Sequence, residues 1–457
     1  MRRFAVVVTI SVICSSWATA ASVDQLSSRL KQYDDQNPVG RLTQPRANSA
    51  NYPEEVTAGE DVYPGDATWD APSSGCADGG CGCSGGCSGG CGCNGACFPR
   101  RSFYGRAEAL AWWVRGSNTP PLVTTSPDNT PAGTAGLLPN ATVLFGDQRV
   151  DSQGRAGGRF TLGYWFGDCD TFAVEDTFFF LGTANQGFQA TSDNYAILAR
   201  PFFDTATGGQ DIQYIAFPGL LVGSVKVTTS SKLLGNELNL RRALYVDSCR
   251  RLDILAGYRY LHLGEGLQLD SSSTITNPLP NNPDVVVGTS IAASDSFLTR
   301  NTFNGGQLGF ASEYYNGRWT LELRTKLAIG NVSQRVTING NTTITTPNVG
   351  STTFPGGLGA LPSNIGQFNR NQFGVLPEFG VNLHYQMNPC WKFTVGYTIF
   401  ALTNVVRPGD QVDSRIDANQ IPGQQPPPAG PFTFPAFAFH NSDILVQGIN
   451  LGLVHEF

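Results

Sequence analysis

Beyond residue 20 the chain has no uninterrupted apolar run of about 18 residues, so no transmembrane helix is available to it. Charge is scarce as well: Asp, Glu, Lys and Arg make up only 14% of the 457 residues. With a net charge of -6 and no clustered Lys or Arg, a broad nucleic-acid surface is excluded, because phosphate binding needs concentrated positive charge. Catalytic signatures are missing too, since no G-x-S-x-G, H-E-x-x-H or P-loop pattern occurs. The four histidines, His262, His384, His440 and His455, fall in separate segments and read as interfacial or hydrogen-bonded polar groups. From these absences we expect no enzyme and no cofactor.

What is present is a chain rich in Gly (53 residues) and aromatics (11%), which suits a sheet facing lipid. Residues 1–20 read as a secretory signal peptide. Arg2 and Arg3 form the positive end, Phe4 to Val12 the apolar stretch, and Ala18-Thr19-Ala20 the cleavage site. A lipoprotein signal at Cys14 fits less well, because the bulky Ile13 precedes it. A secreted chain without a transmembrane helix enters a membrane only as a closed barrel.

Residues 21–101 lack an apolar period and read as a periplasmic tail or linker, with a Cys/Gly tract at 75–97. Within the tract, Cys76, Cys81, Cys83, Cys87, Cys91, Cys93 and Cys97 include a repeated Cys-Gly-Cys unit. Such density could hold zinc, but the spacing is not the usual knuckle, no His is near, and the periplasm is oxidising. Disulfides are the better reading, so no metal is expected. Cys169, Cys249 and Cys390 each lie at a different short turn, which makes ten cysteines in the mature chain and permits full pairing.

From Phe103 on, stretches of 10 to 14 residues alternate with period two. In 155–166, Ala156, Gly158, Phe160, Leu162, Tyr164 and Phe166 share one face, opposite Arg155, Gly157, Arg159 and Thr161. The same test predicts ten strands near 103–115, 155–167, 170–182, 236–247, 251–263, 303–315, 319–331, 372–385, 391–401 and 446–457. Thr142 to Val150 and Val332 to Ile338 also carry strand character, which leaves eight or twelve strands open beside ten with extensions above the membrane.

Short turns alternate with long loops, predicted at 116–154, 182–235, 264–302, 332–371 and 402–445. Outer-membrane barrels have short periplasmic turns and long outer loops, so both termini are placed in the periplasm. Phe103, Tyr164, Phe166, Phe172, Tyr314, Trp319, Tyr385, Trp391 and Phe457 then form a periplasmic aromatic girdle. A soluble barrel or sandwich would alternate too, but without this loop asymmetry. Ile449, Leu451, Leu453, His455 and Phe457 make an amphipathic terminal strand resembling the insertion signal read by barrel-assembly machinery. The fold expected for 102–457 is therefore an all-β, antiparallel transmembrane barrel of about ten strands in outer-membrane lipid.

Tyr104-Gly105-Arg106-Ala107-Glu108, Trp112-Trp113, Gly157-Gly158-Arg159-Phe160 and Gly163-Tyr164-Trp165-Phe166 resemble the seventh family of bacterial β-barrel porins, over about 103–457. The resemblance implies an outer-membrane location and a porin label, with no catalytic motif to carry over.

The inward parity collects Arg106, Arg155, Arg159, Arg241, Arg251, Arg259, Arg324, Lys326 and Lys392 against Glu108, Glu175, Glu237, Asp253, Glu313, Glu322 and Glu378. Two readings stay open: a salt-bridged core that shuts the barrel, and a slender porin-like path for ions or small solutes. Asp176 and Arg242 fall on the lipid parity; a bulge that shifts the register is the favoured explanation, ahead of pairing near an interface. Oligomeric state is not legible.

Overall fold

In the computed structural model the described residues are 102–166, 170–278, 285–423, 430 and 432–457, with the backbone of 90–91 and 97–98. Residues 1–20, read as a signal peptide, and most of 21–101 lie outside them.

Ten antiparallel strands form a ring: β1 (Phe103–Val114), β2 (Gly154–Phe166), β3 (Phe172–Leu181), β4 (Leu221–Val246), β5 (Arg250–Ile275), β6 (Ser290–Asn316), β7 (Trp319–Thr346), β8 (Gly366–Asn388), β9 (Trp391–Val406) and β10 (Asn441–Glu456). Each pairs with its chain neighbours, and β10 closes on β1. Closure leaves no edge with unpaired N–H and C=O groups, which hydrocarbon could not satisfy. Following paired residues from Phe166 through Phe172, Arg242, Ile254, Phe310, Thr325, Phe379, Ile399, Gln447 and Trp113 leads back to β2 at Gly154. The offset of 166 − 154 = 12 residues is the shear of the ring, and for ten strands it tilts them by roughly 40°.

Side chains alternate as the pleat requires. Leu162, Leu238, Leu240, Leu308, Phe310, Leu327, Ile329 and Leu451 are among the large apolar residues on the outer face, exposed by this chain alone and matched to hydrocarbon. Phe103, Tyr164, Phe166, Phe172, Tyr314, Trp319, Trp391 and Phe457 are exposed at the turn-proximal ends. There the amphipathic rings meet the headgroups.

Strand lengths correct the sequence reading. The five strands β4 to β8 run 26, 26, 27, 28 and 23 residues, where a membrane needs about 9–11. Segments assigned to loops, such as 221–235 and 264–275, are upper halves of strands. Their outward positions carry Lys226, Thr228, Gln268 and Asp270 instead of apolar residues, so the alternation loses its hydrophobic contrast while the backbone continues. Val332 to Ile338 belongs to β7, whereas Thr142–Phe145 and Gln148–Val150 are separate short strands in the loop after β1.

Asp176 and Arg242 also need correction. The β3–β4 register runs through both without a shift, so no bulge turns them inward. Asp176 Oδ1 accepts a hydrogen bond from Asn236 Nδ2 at 3.0 Å, and Arg242 lies 5.5 Å from the centre of the Phe172 ring, at the periplasmic girdle. Pairing, not a register change, accommodates them.

Leu308, 63% exposed on the outer face, gives a test of that face. Leu308→Arg is expected to lower the unfolding free energy in lipid vesicles by about 2–4 kcal/mol in guanidinium titrations. Lys226→Ala, above the lipid, should change it by no more than about 0.5 kcal/mol.

Candidate functional site

The bore is the natural place for a site, and three layers of side chains fill it. Because inward positions recur every second residue, β4 contributes Glu237, Asn239 and Arg241, and β7 contributes Glu322, Arg324 and Lys326, as vertical ladders. Opposite charges from different walls meet between them.

Nearest the periplasm, Arg241 bonds Glu313 at 2.5 Å and also Asp253, which Arg251 reaches at 2.9 Å. Arg324 spans from Glu322 (2.7 Å) to Glu175 (2.5 Å), and the Tyr104 hydroxyl donates to the same Glu175 at 2.5 Å. Tyr104 lies flat over Gly163, where a Cβ would come within 2.2 Å of its ring. Arg106 and His384 each approach Glu322 at 3.2 Å, and Lys392 pairs with Glu456. Arg251 stacks 4.1 Å from the centre of the Trp165 ring. One step higher, Lys326 bridges Glu237 (2.7 Å) and Glu378 (2.6 Å), and Arg259 bridges the same two carboxylates. Glu108 holds Arg159 in a two-pronged pair at 2.5 and 2.7 Å. Glu175 and Asp253 are wholly buried, so every one of these charges depends on its partners.

Above the ion pairs lies an apolar plug. Trp112, Phe179, Leu233, Leu261, Phe303, Phe400 and Leu402 are buried together across the bore. Phe179 fits against Gly235, where a Cβ would lie 2.4 Å from the ring. Trp112 donates its indole N–H downward to Asn450 at 2.7 Å, joining plug to polar layer.

The third layer is a cap. Above the plug, Arg407 and Glu265 form a buried two-pronged pair at 2.9 and 2.6 Å. Short loop strands, Val123–Thr125, Thr142–Phe145, Leu198–Asp204, Gly209–Ala216 and Arg415–Ile416, make a five-stranded sheet. Its Val123, Phe145, Leu198 and Ile215 pack on Val225, Val227, Leu267, Phe297 and Val336, the inward residues of the tall strands.

Within the ion-pair layers the cavities are about 40 Å³, beside Arg106, Arg241 and His384, and about 20 Å³, beside Arg159, Lys326 and Asn382. Each has room for one to three waters. The buried Arg106 Nε and Asn382 Oδ1, which have no protein partner, are suited to bind them.

Arg106, Glu108, Arg159, Glu175, Arg241, Asp253, Arg259, Glu313, Glu322, Arg324 and Glu378 all lie inside the bore and join in its ion pairs. Sequence reasoning missed Tyr104, Asn450 and the Arg407–Glu265 pair. The parity rule would have found Tyr104, which shares its face with Arg106; Arg407 lies outside any alternating stretch. His262 is half-buried beside Thr302, 3.2 Å away, and no two histidines come together. Ile449, Leu451, Leu453 and Phe457 lie on the outer face of β10, with His455 between the Trp391 and Phe457 rings.

The cysteine reading needs amendment. Cys390, expected to pair, is a free thiol in the β8–β9 turn, its amide held by Asn388 Oδ1 at 3.0 Å, so the ten cysteines beyond residue 20 are not all joined. Cys249 is disulfide-bonded. Cys91 and Cys97 are known only as opposed backbone positions of two paired short strands. Cys76, Cys81, Cys83, Cys87, Cys93 and Cys169 lie outside the described residues.

Two measurements check this geometry. Glu175→Ala takes from Arg324 one of its two carboxylates and leaves a buried void, and is expected to cost about 3–5 kcal/mol in guanidinium unfolding, with Glu175→Gln milder. Maleimide should label Cys390 in the folded, unreduced protein while mass mapping leaves Cys249 unlabelled until reductant is added.

No curated protein matches the sequence. Among solved structures, the outer-membrane protease OmpT of Escherichia coli is similar with a TM-score of 0.36 at 10% identity, over 79% of this chain and 98% of that one. A FadL homologue of Pseudomonas aeruginosa gives 0.20 at 7%, over 78% and 90%. At such scores the likeness carries no argument about activity. The expectation that the chain is not an enzyme is withdrawn: it rested on the lack of a catalytic motif, an absence that excludes nothing, and an outer-membrane protease stands among the similar structures. Residues 104–457 match the family described as "Putative beta barrel porin-7 (BBP7)". The match spans the whole ring of strands, and the chain therefore belongs to that family of outer-membrane β-barrels.

Proposed function

We propose that this barrel is closed, passes no solute through its bore, and serves the outer membrane through the loop platform it holds above the lipid. The observation that carries this reading is the apolar plug: Trp112, Phe179, Phe303 and Phe400 meet across the bore with exposures of 3% or less. An aqueous path would have to hydrate these rings, and the ion-paired layer below leaves pockets of 40 Å³ and 20 Å³. Ten strands enclose little more than side chains can fill, since about eight are filled completely and sixteen leave a channel. The family's porin description is the competing reading. Export by a cleaved signal at 1–20 and insertion through the terminal strand by assembly machinery belong to the same proposal.

Planar-bilayer recording of the purified, folded protein is the test. No unitary current steps are expected at either polarity, and the triple variant W112A/F303A/F400A should also stay silent because the ion-paired layer remains. Regular steps from the unaltered protein would overturn the closed reading.

A further inference from the structure

The ring is uneven in height, and a polar cavity occupies its low side. β1, β2, β9 and β10 end near the outer surface of the lipid while β4 to β8 continue upward. Just beyond the low rim, a cavity of about 230 Å³ is lined by Arg115, Asn118, Arg149, Asp410, Ser442 and Asp443, with Arg407 at its floor. A void of about 150 Å³ holds a benzene-sized molecule, so this one admits a ligand of roughly ten non-hydrogen atoms.

The floor is spent: Arg407 is taken by Glu265 and by the backbone oxygen of Arg115. The walls are not. Arg149 uses only Nε, toward Asn118 Oδ1 at 3.2 Å, and the exposed Arg115 guanidinium has no partner among the described residues. On the acceptor side, the buried Asp410 Oδ2 and Ser442 Oγ face each other and have no other partner among the described residues. Asp443 commits one oxygen to the amide of Asn404 at 3.1 Å and keeps the other. Asp410 is fixed in position by a single 3-10 turn, Gly409–Gln411, whose first glycine packs where a Cβ would strike the Asn118 carbonyl. Burial raises its carboxyl above the usual range, against the opposing pull of Ser442 and Arg407.

Uncommitted guanidinium nitrogens of Arg115 and Arg149 and carboxylate oxygens of Asp410 and Asp443 around one cavity match a ligand that carries both charges. We infer that this cavity binds a small zwitterion of the α-amino-acid class, its carboxylate on Arg115 and Arg149 and its ammonium on Asp410 and Asp443. The site lies above the plug and is independent of whether the bore conducts.

Calorimetric titration of the folded full chain with L-alanine, L-leucine and L-glutamine tests it. At least one should bind saturably, and its N-acetyl and carboxamide derivatives should each bind about tenfold or more weakly, as loss of a charge-assisted pair requires. Asp410→Asn should weaken the amino acid but not its N-acetyl form, and Arg115→Gln should weaken the amino acid but not its carboxamide. Arg242→Gln, on the lipid face, should do neither. Absence of saturable binding for all three, equal binding of the capped forms, or tighter binding of inorganic phosphate that ignores Asp410→Asn would each overturn the assignment.

Discussion

Hydrocarbon accepts no unpaired backbone group, and the rest of the architecture follows from that constraint. It forces the ten strands to join edge to edge and assigns one face of each to lipid. The other face is left to be filled from within. In a water-soluble protein that inner face would be apolar throughout; here the outer face takes most of the large apolar side chains, and the inner one is divided. Its lower half holds paired charges and its upper half rings and aliphatic groups around the Arg407–Glu265 pair. The two halves are linked through single contacts such as Trp112 to Asn450.

The membrane-embedded part was legible because lipid imposes a sharp contrast on alternate residues: Phe160 and Leu162 against Arg159 and Thr161 leave no doubt about which face is which. The same parity listed the charges of the bore without showing who meets whom. Glu175 and Arg324 lie on strands far apart in sequence, and only the ring's diameter and shear bring them together. Above the lipid the contrast fades. Lys226 and Thr228 face water opposite inward Val225 and Val227, a pattern too mild to separate a tall strand from a polar loop. The cap was illegible for another reason: its strands are two to eight residues long and pair across loops distant in the chain, which no local period encodes.

The plug decided between two readings that the charges left open. Mixed charges in a narrow bore are compatible with a wet path or a locked core. Trp112, Phe303 and Phe400 fall on the same parity as those charges, at the outer ends of the predicted strands. Their inward direction was implicit in the alternation. What parity could not supply was that rings from β1, β3, β6 and β9 reach one another at the same height.

Several of the ion pairs are cross-bore tie rods. Arg106 of β1 reaches Glu322 of β7, and Arg324 of β7 reaches Glu175 of β3. Side-chain length thereby fixes the circumference. Barrels enlarge in evolution by gaining a hairpin, and two more strands would widen this one beyond the span of an arginine, leaving a carboxylate such as Glu175 stranded. Strand number and lumen sequence can therefore change only together, and a twelve-stranded descendant would have to replace its struts before it could keep its fold.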